Sequence, residues 1–250
     1  MNAALYCSVW LSLRFLGATH SVSAAGDADC GLSEEQIQQV RVRVSREIRK
    51  SGFHRELVLS LRCGAAFPDR LRPLLVQRLP AGIYVDPYQL ESLRHDGGLQ
   101  LLLDSEVDLE APAYASHGFT AFVFPTRDLR DTNSFLATVP IHGRYQRPSG
   151  SGRKWEQLLI EAPRLLLRSD PCRKLCPHPP DKLVEAPCTA HNTSTCSWLE
   201  IQHWQDQQAV SLELPVGDQS LMVPVCAGTL LVTLLCCGLI ARAVWARGWD

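Results

Sequence analysis

The sequence has almost no excess charge of either sign: 25 Lys and Arg stand against 26 Asp and Glu, for a formal net charge of −1. Proteins that bind nucleic acid usually carry a basic excess, because the phosphate backbone must be neutralised. The charge balance therefore gives no reason to expect a nucleic-acid partner.

The sequence also lacks the short motifs that mark common catalytic sites. It has no Gly-x-Ser-x-Gly elbow for a serine hydrolase, and no glycine-rich or Walker-type loop for phosphate. The segment Ser149-Gly150-Ser151-Gly152 falls in a flexible turn without a strand leading tightly into it. We therefore expect a protein that is not an enzyme and uses no cofactor and no metal. A hydrolase is therefore the least favoured function for this sequence.

Charged side chains are absent from Leu221 to Ala241, a run that is followed by Arg242 and Arg247. As a helix this run would be about 30 Å long, which matches the hydrocarbon core of a bilayer. Arginines close behind an apolar run favour the cytosolic side of the membrane. We expect a transmembrane helix over residues 221–241 and a cytosolic tail over residues 242–250. The alternatives are a buried core helix and the discarded tail of a lipid-anchor signal.

The N-terminus predicts a weak signal peptide over residues 1–25. Ala3 to Leu16 is mostly apolar, and Ser23 to Ala25 are small residues suited to signal peptidase, but Arg14 interrupts the apolar stretch and no basic residue precedes it. The alternatives are an uncleaved N-terminal anchor, or a start site that does not represent the natural precursor. After cleavage, residues 26–220 form the lumenal part, which is long enough for one sizeable core or two small ones.

Six of the ten cysteines lie outside the two apolar segments, and six is an even number. In an oxidising lumen these thiols are expected to form disulfides, although the sequence cannot choose among the possible pairings. The six candidates are Cys30, Cys63, Cys172, Cys176, Cys188 and Cys196. Zinc binding by the last four, with His178 and His191, is the less favoured alternative, because their spacing fits no common zinc motif.

One acceptor triplet for an N-linked glycan occurs, at Asn192-Thr193-Ser194. It lies between two of these cysteines in a polar loop. Such triplets also arise by chance, but a lumenal location makes a glycan on Asn192 the expected outcome.

Two acidic patterns carry no catalytic prediction. Asp27-x-Asp29 superficially matches the metal-binding pair of many sugar transferases, but it directly follows the expected cleavage site, where a loose terminus cannot pre-organise a metal. Glu106, Asp108 and Glu110 alternate along a predicted strand, which indicates a solvated strand face rather than two carboxylates across a cleft.

The hydrophobic pattern predicts a short N-terminal helix followed by strands. Ser33 and Gln36 have capping-box spacing, and apolar residues recur at helical intervals, so a helix is expected over Ser33 to Lys50, although its valines also alternate as in a strand. The proline-rich Pro171 to Pro187 predicts a long surface loop. Predicted strands are Glu56 to Leu61, Leu99 to Leu103, Glu106 to Leu109, Phe119 to Phe124, Thr138 to Ile141, Leu158 to Glu161, Leu165 to Arg168 and Val210 to Leu214. The fold class is mainly β: one lumenal, antiparallel β-sandwich-like domain plus the C-terminal transmembrane helix.

Residues 140–146 combine polar and apolar side chains in an extended pattern. His142 and Arg144 share one face of an extended chain, while Ile141 and Tyr145 share the other. The cationic stripe could grip a carboxylate, a phosphate or a partner's backbone. Arg and His on a half-buried strand more often make internal hydrogen bonds, and this second interpretation is favoured on composition alone.

Four segments stand in a fixed order along the chain: Gly52-Phe53-His54-Arg55-Glu56-Leu57, Leu79-Pro80-Ala81-Gly82-Ile83-Tyr84-Val85-Asp86-Pro87-Tyr88, Pro140-Ile141-His142-Gly143-Arg144-Tyr145-Gln146 and Leu214-Pro215-Val216-Gly217. Together they resemble the PIG-X family, the phosphatidylinositol-glycan biosynthesis class X proteins. The resemblance covers roughly Gly52 to Ala241. Four such segments in the same order identify the family more specifically than any single segment does.

The resemblance implies a non-catalytic subunit in the membrane of the endoplasmic reticulum, with most of the chain in the lumen. PIG-X proteins bind and stabilise PIG-M, the multi-spanning transferase that adds the first mannose to the glycosylphosphatidylinositol (GPI) precursor. The motif positions His54, Arg55, His142, Arg144 and Tyr145 would either touch the transferase or hold the domain together. The alternative function is a single-span cell-surface receptor or adhesion glycoprotein, which would share the sandwich, the disulfides and the glycan.

Overall fold

Strands dominate the computed structural model of the protein, which describes residues 42–64, 71–96, 98–169, 182–202, 204 and 209–247. The strands are β1 Val42–Arg49, β2 His54–Cys63, β3 Leu71–Leu79, β4 Ile83–Tyr84, β5 Gln100–Leu103, β6 Phe119–Phe124, β7 Thr126–Arg127, β8 Ser134–Gly143, β9 Trp155–Ile160, β10 Arg164–Ser169, β11 Lys182–Pro187, β12 Thr195–Ile201 and β13 Val210–Pro215. The helices are α1 Pro87–Asp96 and α2 Met222–Arg247, with short 3-10 helices at η1 Ala113–Ala115 and η2 Gln219–Leu221. The predicted class, mainly β with one C-terminal apolar helix, is confirmed.

The strands form two large antiparallel sheets and one separate pair. Sheet A has the order β1-β2-β8-β4, and β7 also pairs with β8. Sheet B has the order β11-β12-β10-β3-β6-β5, and β9 pairs with β13. Apolar side chains from both sheets and from the β9–β13 pair form one buried cluster, which is the main core. The end of β9 is also joined to sheet A, since Arg46 of β1 donates hydrogen bonds to the carbonyls of Ile160 and Glu161.

The central strand of sheet B, β3, is buried on both faces. Leu75 joins the main core, whereas Leu74 joins a second buried cluster on the outer face of the sheet. Pro73 is tolerated inside this strand because proline has no N–H to donate and the strand has a neighbour on one side only at that point. Residue 73 pairs with Leu167 of β10, while the pairing with β6 begins at Leu75.

Two sequence predictions are wrong in this region, and the local reason is clear in each. Val42–Arg49 forms β1 rather than the second half of a helix, because its alternating sequence pairs over its whole length with residues 56–63 of β2. The remainder of that predicted helix lies outside the described residues. Glu106 to Leu109 forms a turn rather than a strand: the Asp108 carboxylate accepts hydrogen bonds from the N–H groups of Glu110 and Ala111.

The proline-rich segment is also more ordered than expected at its end. Lys182–Pro187 forms β11, which pairs with β12 over its full length. Residues 170–181 lie outside the described ranges. The strands β3, β4, β7, β11 and β12 and the helix α1 were not predicted from the pattern.

Helix α2 is long and apolar enough to cross a membrane. Together with η2 it forms 29 residues, Gln219–Arg247, whose most apolar stretch of 18 residues has a mean hydropathy of 2.3 and no buried residue. It is the one such helix within the ranges that the structure describes. Its 26 residues correspond to about 39 Å at 1.5 Å per residue, which exceeds the hydrocarbon thickness of about 30 Å.

Candidate partner-binding face

The outer face of sheet A carries an open groove. Side chains alternate along β2, so that Leu57, Leu59 and Leu61 enter the core while His54 and Glu56 point outward. The groove has a volume of about 760 Å³. Its floor comes from β2 and β8, and its walls come from α1 and from residues 124–130. We call it the sheet A groove; residues that line it include His54, Glu56, Gln89, Leu136, Thr138 and His142.

Two histidines stand side by side at one end of this groove. His54 and His142 are register partners across β2 and β8, with their Nδ1 atoms 2.7 Å apart and their rings edge to face. On its other side His142 is paired with Tyr84, whose ring stacks on it at 5.0 Å between centroids. The Nε2 atom of His142 lies 2.9 Å from Oε1 of Gln89 on α1.

This geometry selects a tautomer for neutral His142. Because Gln89 Oε1 can only accept, His142 must carry its proton on Nε2, and its Nδ1 is then free to accept from the Nδ1–H of His54. Burial lowers the pKa of His142, and the neighbouring His54 lowers it further, while Asp86 opposes both. The neutral form is therefore the one that fits the site.

Helix α1, which forms one wall of the groove, begins at a recognisable capping sequence. Asp86 caps the helix by accepting hydrogen bonds from the backbone N–H groups of Tyr88 and Gln89, at 2.8 and 3.4 Å. Pro87 occupies the first helical position, where a missing N–H costs nothing. The dipeptide Asp86-Pro87 could have revealed this helix from the sequence.

Arg144 lies inside the domain rather than on its surface. Its side chain is buried, its guanidinium carbon lies 4.9 Å from the centre of the Tyr84 ring, and Nη1 donates to the carbonyl of Ala111 at 2.6 Å. Burial lowers the pKa of Arg144, and Asp108 opposes this effect. The side chain therefore fastens the loop before η1 to the end of sheet A.

Of the two neighbouring candidate residues, Arg55 makes hydrogen bonds within the domain, whereas Tyr145 is exposed. Arg55 donates to the carbonyls of Gly52 and Glu213, at 2.9 and 2.8 Å, and so joins the start of β2 to β13. Tyr145 is 76% exposed and its ring lies 5.2 Å from that of Phe53. The predicted alternation of side chains between two faces over residues 140–146 holds only as far as Gly143, because β8 ends at that residue.

The four ordered segments quoted above meet at this end of sheet A. Gly143 N–H donates to the Phe53 carbonyl at 2.7 Å, and Arg144 N–H donates to the Gly82 carbonyl at 2.8 Å. A Cβ atom at Gly143 would lie 2.5 Å from a methyl group of Leu214, so a larger residue there would force the buried Leu214 side chain to shift. Residues that are far apart in sequence thus form one continuous structural unit.

Comparison with known proteins decides the relationship. The PIG-X / PBN1 family profile matches residues 50–245. The chain belongs to this family. A human protein, "GPI alpha-1,4-mannosyltransferase I, stabilizing subunit", is 33% identical over 253 residues, which cover 98% of this chain and 96% of the human one. Proteins of the same name from Rattus norvegicus and Mus musculus are 32% and 31% identical, each over 81% of both chains.

The PIG-X / PBN1 match begins beside the sheet A groove and ends within α2, so it includes all four ordered segments. The resemblance stated from these segments is confirmed. The described part of this family member contains no group of three or more His, Cys, Asp or Glu side chains that could hold a metal.

The cysteine predictions divide between two outcomes. Cys188 and Cys196 form a disulfide that closes the loop between β11 and β12. Cys63 is instead a free thiol, which corrects its prediction as a disulfide candidate: it ends β2 with its side chain in the main core, and burial raises its pKa to about 12. Cys30, Cys172 and Cys176 lie outside the described residues.

Asn192 lies in the loop that the disulfide closes. Its side chain is exposed, and its Oδ1 accepts hydrogen bonds from the N–H and the hydroxyl of Ser194, at 3.2 and 2.6 Å. The acceptor triplet is therefore accessible on a short, cross-linked loop.

Proposed function

We propose that this chain is the non-catalytic, stabilising subunit of GPI mannosyltransferase I, and that PIG-M is the catalytic subunit it stabilises. One observation carries the proposal: the chain is 33% identical to the human stabilizing subunit over almost the whole length of both proteins. The printed names of all three relatives describe a subunit that stabilises a transferase. A cell-surface receptor or adhesion protein is not favoured, because no such relative supports it.

We assign the contact with the transferase to the sheet A groove. The groove is open and mixed in character, with Leu136 39% exposed on its floor and the ion pair of Lys50 and Glu56 at its edge. Open, partly apolar surfaces of this kind are typical of protein interfaces. His54 and His142 line this groove and are placed to contact a partner directly.

Arg55 and Arg144 act differently in this proposal. Both make hydrogen bonds within the domain, to the carbonyls of Glu213 and Ala111, and Arg144 has no exposed surface of note. They hold the end of sheet A in the shape that the partner meets. A change at either should act through stability of the fold.

We further propose an orientation in the endoplasmic reticulum membrane. The β-rich domain lies in the lumen after removal of residues 1–25, α2 spans the bilayer, and residues 242–250 are cytosolic. The disulfide and the exposed Asn192 triplet support a lumenal domain, since both belong to an oxidising, glycosylating compartment. A glycan on Asn192 that remains sensitive to endoglycosidase H would support retention. A resistant glycan would indicate passage to the cell surface and contradict the proposal.

Loss of the protein tests the function itself. Cells without this chain should contain less transferase and should display fewer lipid-anchored proteins at their surface. Both levels should return when the full chain is expressed. Normal levels of both in the knockout would refute the stabilising role.

A pair of matched substitutions tests the assigned face. Leu136→Lys places a charge in the sheet A groove, and Leu183→Lys places one on the edge strand β11, where the leucine is 51% exposed. We expect L136K to lower the amount of transferase that co-purifies with the full chain in mild detergent, and L183K to leave it unchanged. Equal recovery with both variants, at equal expression, would remove the contact from this groove.

A further inference from the structure

A basic loop is joined by hydrogen bonds to the chain that leads into the span. Ser149 N–H donates to the Gly217 carbonyl at 2.8 Å, and Gln219 N–H donates to the Ser149 carbonyl at 3.1 Å. Val216 N–H donates to the Lys154 carbonyl at 2.8 Å. These bonds place the loop, residues 147–155, directly beside the start of α2.

The distance from the loop to the membrane follows from the helix geometry. Ser149 forms a bridge with Asp218, which precedes Met222 by four residues. At about 1.5 to 2 Å per residue, the loop lies roughly 6 to 8 Å above the first residue of α2. The headgroup layer on each side of the hydrocarbon core is about 5 to 8 Å thick. The loop is therefore at the level of the lipid headgroups.

The charge of the loop suits this location. Arg147, Arg153 and Lys154 are exposed, and residues 147–155 contain no acidic residue. Glu156 pairs with Arg153 at 2.8 Å, and Asp218 accepts from the N–H and hydroxyl of Ser220. Three cations and no acidic residue give the loop itself a positive formal charge.

Exposed aromatic rings surround the same loop. Trp155 follows Lys154 directly and is 55% exposed, Tyr145 precedes the loop by two residues, and Tyr114 lies under the guanidinium of Arg147 at 4.8 Å. Single exposed aromatic residues are ordinary on protein surfaces. Tyr and Trp gathered with cations beside a span are typical of the membrane interface, where an apolar ring and a polar tip are both satisfied.

We infer that residues 147–155, with Tyr114 and Tyr145, form a surface that rests on the headgroup layer of the bilayer around α2. Arg147, Arg153 and Lys154 bind the phosphates of anionic lipids in this layer. The contact fixes how the β-rich domain stands on the membrane, and hence where the sheet A groove points. This inference goes beyond the stabilising function and rests on the span rather than on the transferase.

The test compares the full chain in lipid nanodiscs of two compositions and in detergent, with backbone hydrogen exchange of residues 150–155 as the readout. In phosphatidylcholine mixed with phosphatidylinositol, exchange should be at least about fivefold slower than in detergent, since each basic residue gains attraction at an anionic surface. The variant R147S/R153S/K154S should lose most of this protection. Phosphatidylcholine alone should give an intermediate rate.

A matched control removes three cations from the opposite end of sheet A. Arg43 and Arg62 are register partners there, and Arg130 lies in the nearby loop, so R43S/R62S/R130S changes the net charge equally. This control should keep the full protection of residues 150–155. Exchange that is the same in detergent and in both nanodiscs would overturn the inference. Protection that inorganic phosphate reproduces in detergent would overturn it too, by showing a free-ion site. Because no transferase is present, either failure leaves the proposed function untouched.

Discussion

The outer faces of the two sheets are built in opposite ways. On sheet B, Leu74, Leu166 and Trp198 are completely or almost completely buried, and the Trp198 ring N–H donates to the Ala186 carbonyl at 3.2 Å. On sheet A the corresponding face carries the open groove with its two histidines. Apolar burial closes the first face within the chain itself. The second face stays open, as expected for a surface that a partner protein covers.

The largest expected effect is the loss of stability when the buried outer face of sheet B is disrupted. Trp198→Ala should lower the free energy of unfolding by about 3–5 kcal/mol, because a fully buried ring and its hydrogen bond are both removed. Leu136→Ser, on the open face, should cost less than about 1 kcal/mol, because that side chain is already partly in water. Chemical unfolding of the full chain in detergent measures both. Equal losses would mean that the two faces do not differ in this way.

Substitutions at two adjacent residues, Arg144 and Tyr145, compare a buried side chain with an exposed one at the end of sheet A. Arg144→Ala should cost about 2–4 kcal/mol, since a buried charged hydrogen bond and the contact with the Tyr84 ring disappear together. Tyr145→Ala should cost less than about 1 kcal/mol, because its ring is mostly exposed. If Ala at 144 were tolerated while transferase binding was lost, Arg144 would be a contact residue after all. The combined change of His142 and Arg144 to Ala should destabilise the domain mainly through Arg144.

The groove should respond to acid, whereas the closed face should not. The folded state lowers the pKa of His142, so it favours the neutral ring; its contribution to stability is complete above about pH 6.5 and is lost as the pH falls further. A proton added to Nδ1 of His142 would face the Nδ1–H of His54 at 2.7 Å. The protection factors of the β8 amides, which correct for the slower intrinsic hydrogen exchange at lower pH, should therefore fall in mild acid before those of the β12 amides do. His54→Gln should reduce this difference, and an unchanged difference would exclude the histidine pair as its source.

The smallest effect concerns the thiol between the two sheets. Because burial raises the pKa of Cys63 to about 12, its thiol should stay protonated and should resist iodoacetamide at neutral pH until the domain unfolds. The same shift means that stability is retained below about pH 8.5 and decreases above it, as the unfolded thiol begins to ionise. Mass spectrometry of native and unfolded samples reads out the modification. Rapid labelling of the native chain would place Cys63 nearer to solvent.

Strand β6 could be predicted from the sequence, whereas strand β3 could not. The predicted strand Phe119 to Phe124 has the bounds of β6, because its side chains alternate between the core and a half-exposed face. The strand β3 was missed because Leu71–Leu79 does not alternate: Pro73 interrupts it, and the three residues that follow, Leu74 to Val76, are all apolar. Only its position between β10 and β6, which no local pattern encodes, explains that run.

The candidate face was predictable in its parts but not in its arrangement. The motif segments included His54 and His142 by position. Their pairing depends on the register between β2 and β8, and the two histidines are 88 positions apart in the sequence. The burial of Arg144 also depends on distant residues, Tyr84 and Ala111, and on the end of β8 at Gly143.

The strand order of sheet B has a consequence for how the chain is made. Strand β3 sits between β6 and β10, and β12, which lies beyond β10, ends only at Ile201. Strand β3 must therefore wait for roughly 90 further residues before its neighbour β10 is complete, and the whole sheet must wait for roughly 120, on the order of ten seconds at ordinary rates of translation. The apolar helix α2 follows soon afterwards, at Met222. Completion of the sheet thus shortly precedes the synthesis of α2, and chaperones would have to shield β3 until its neighbours are in place.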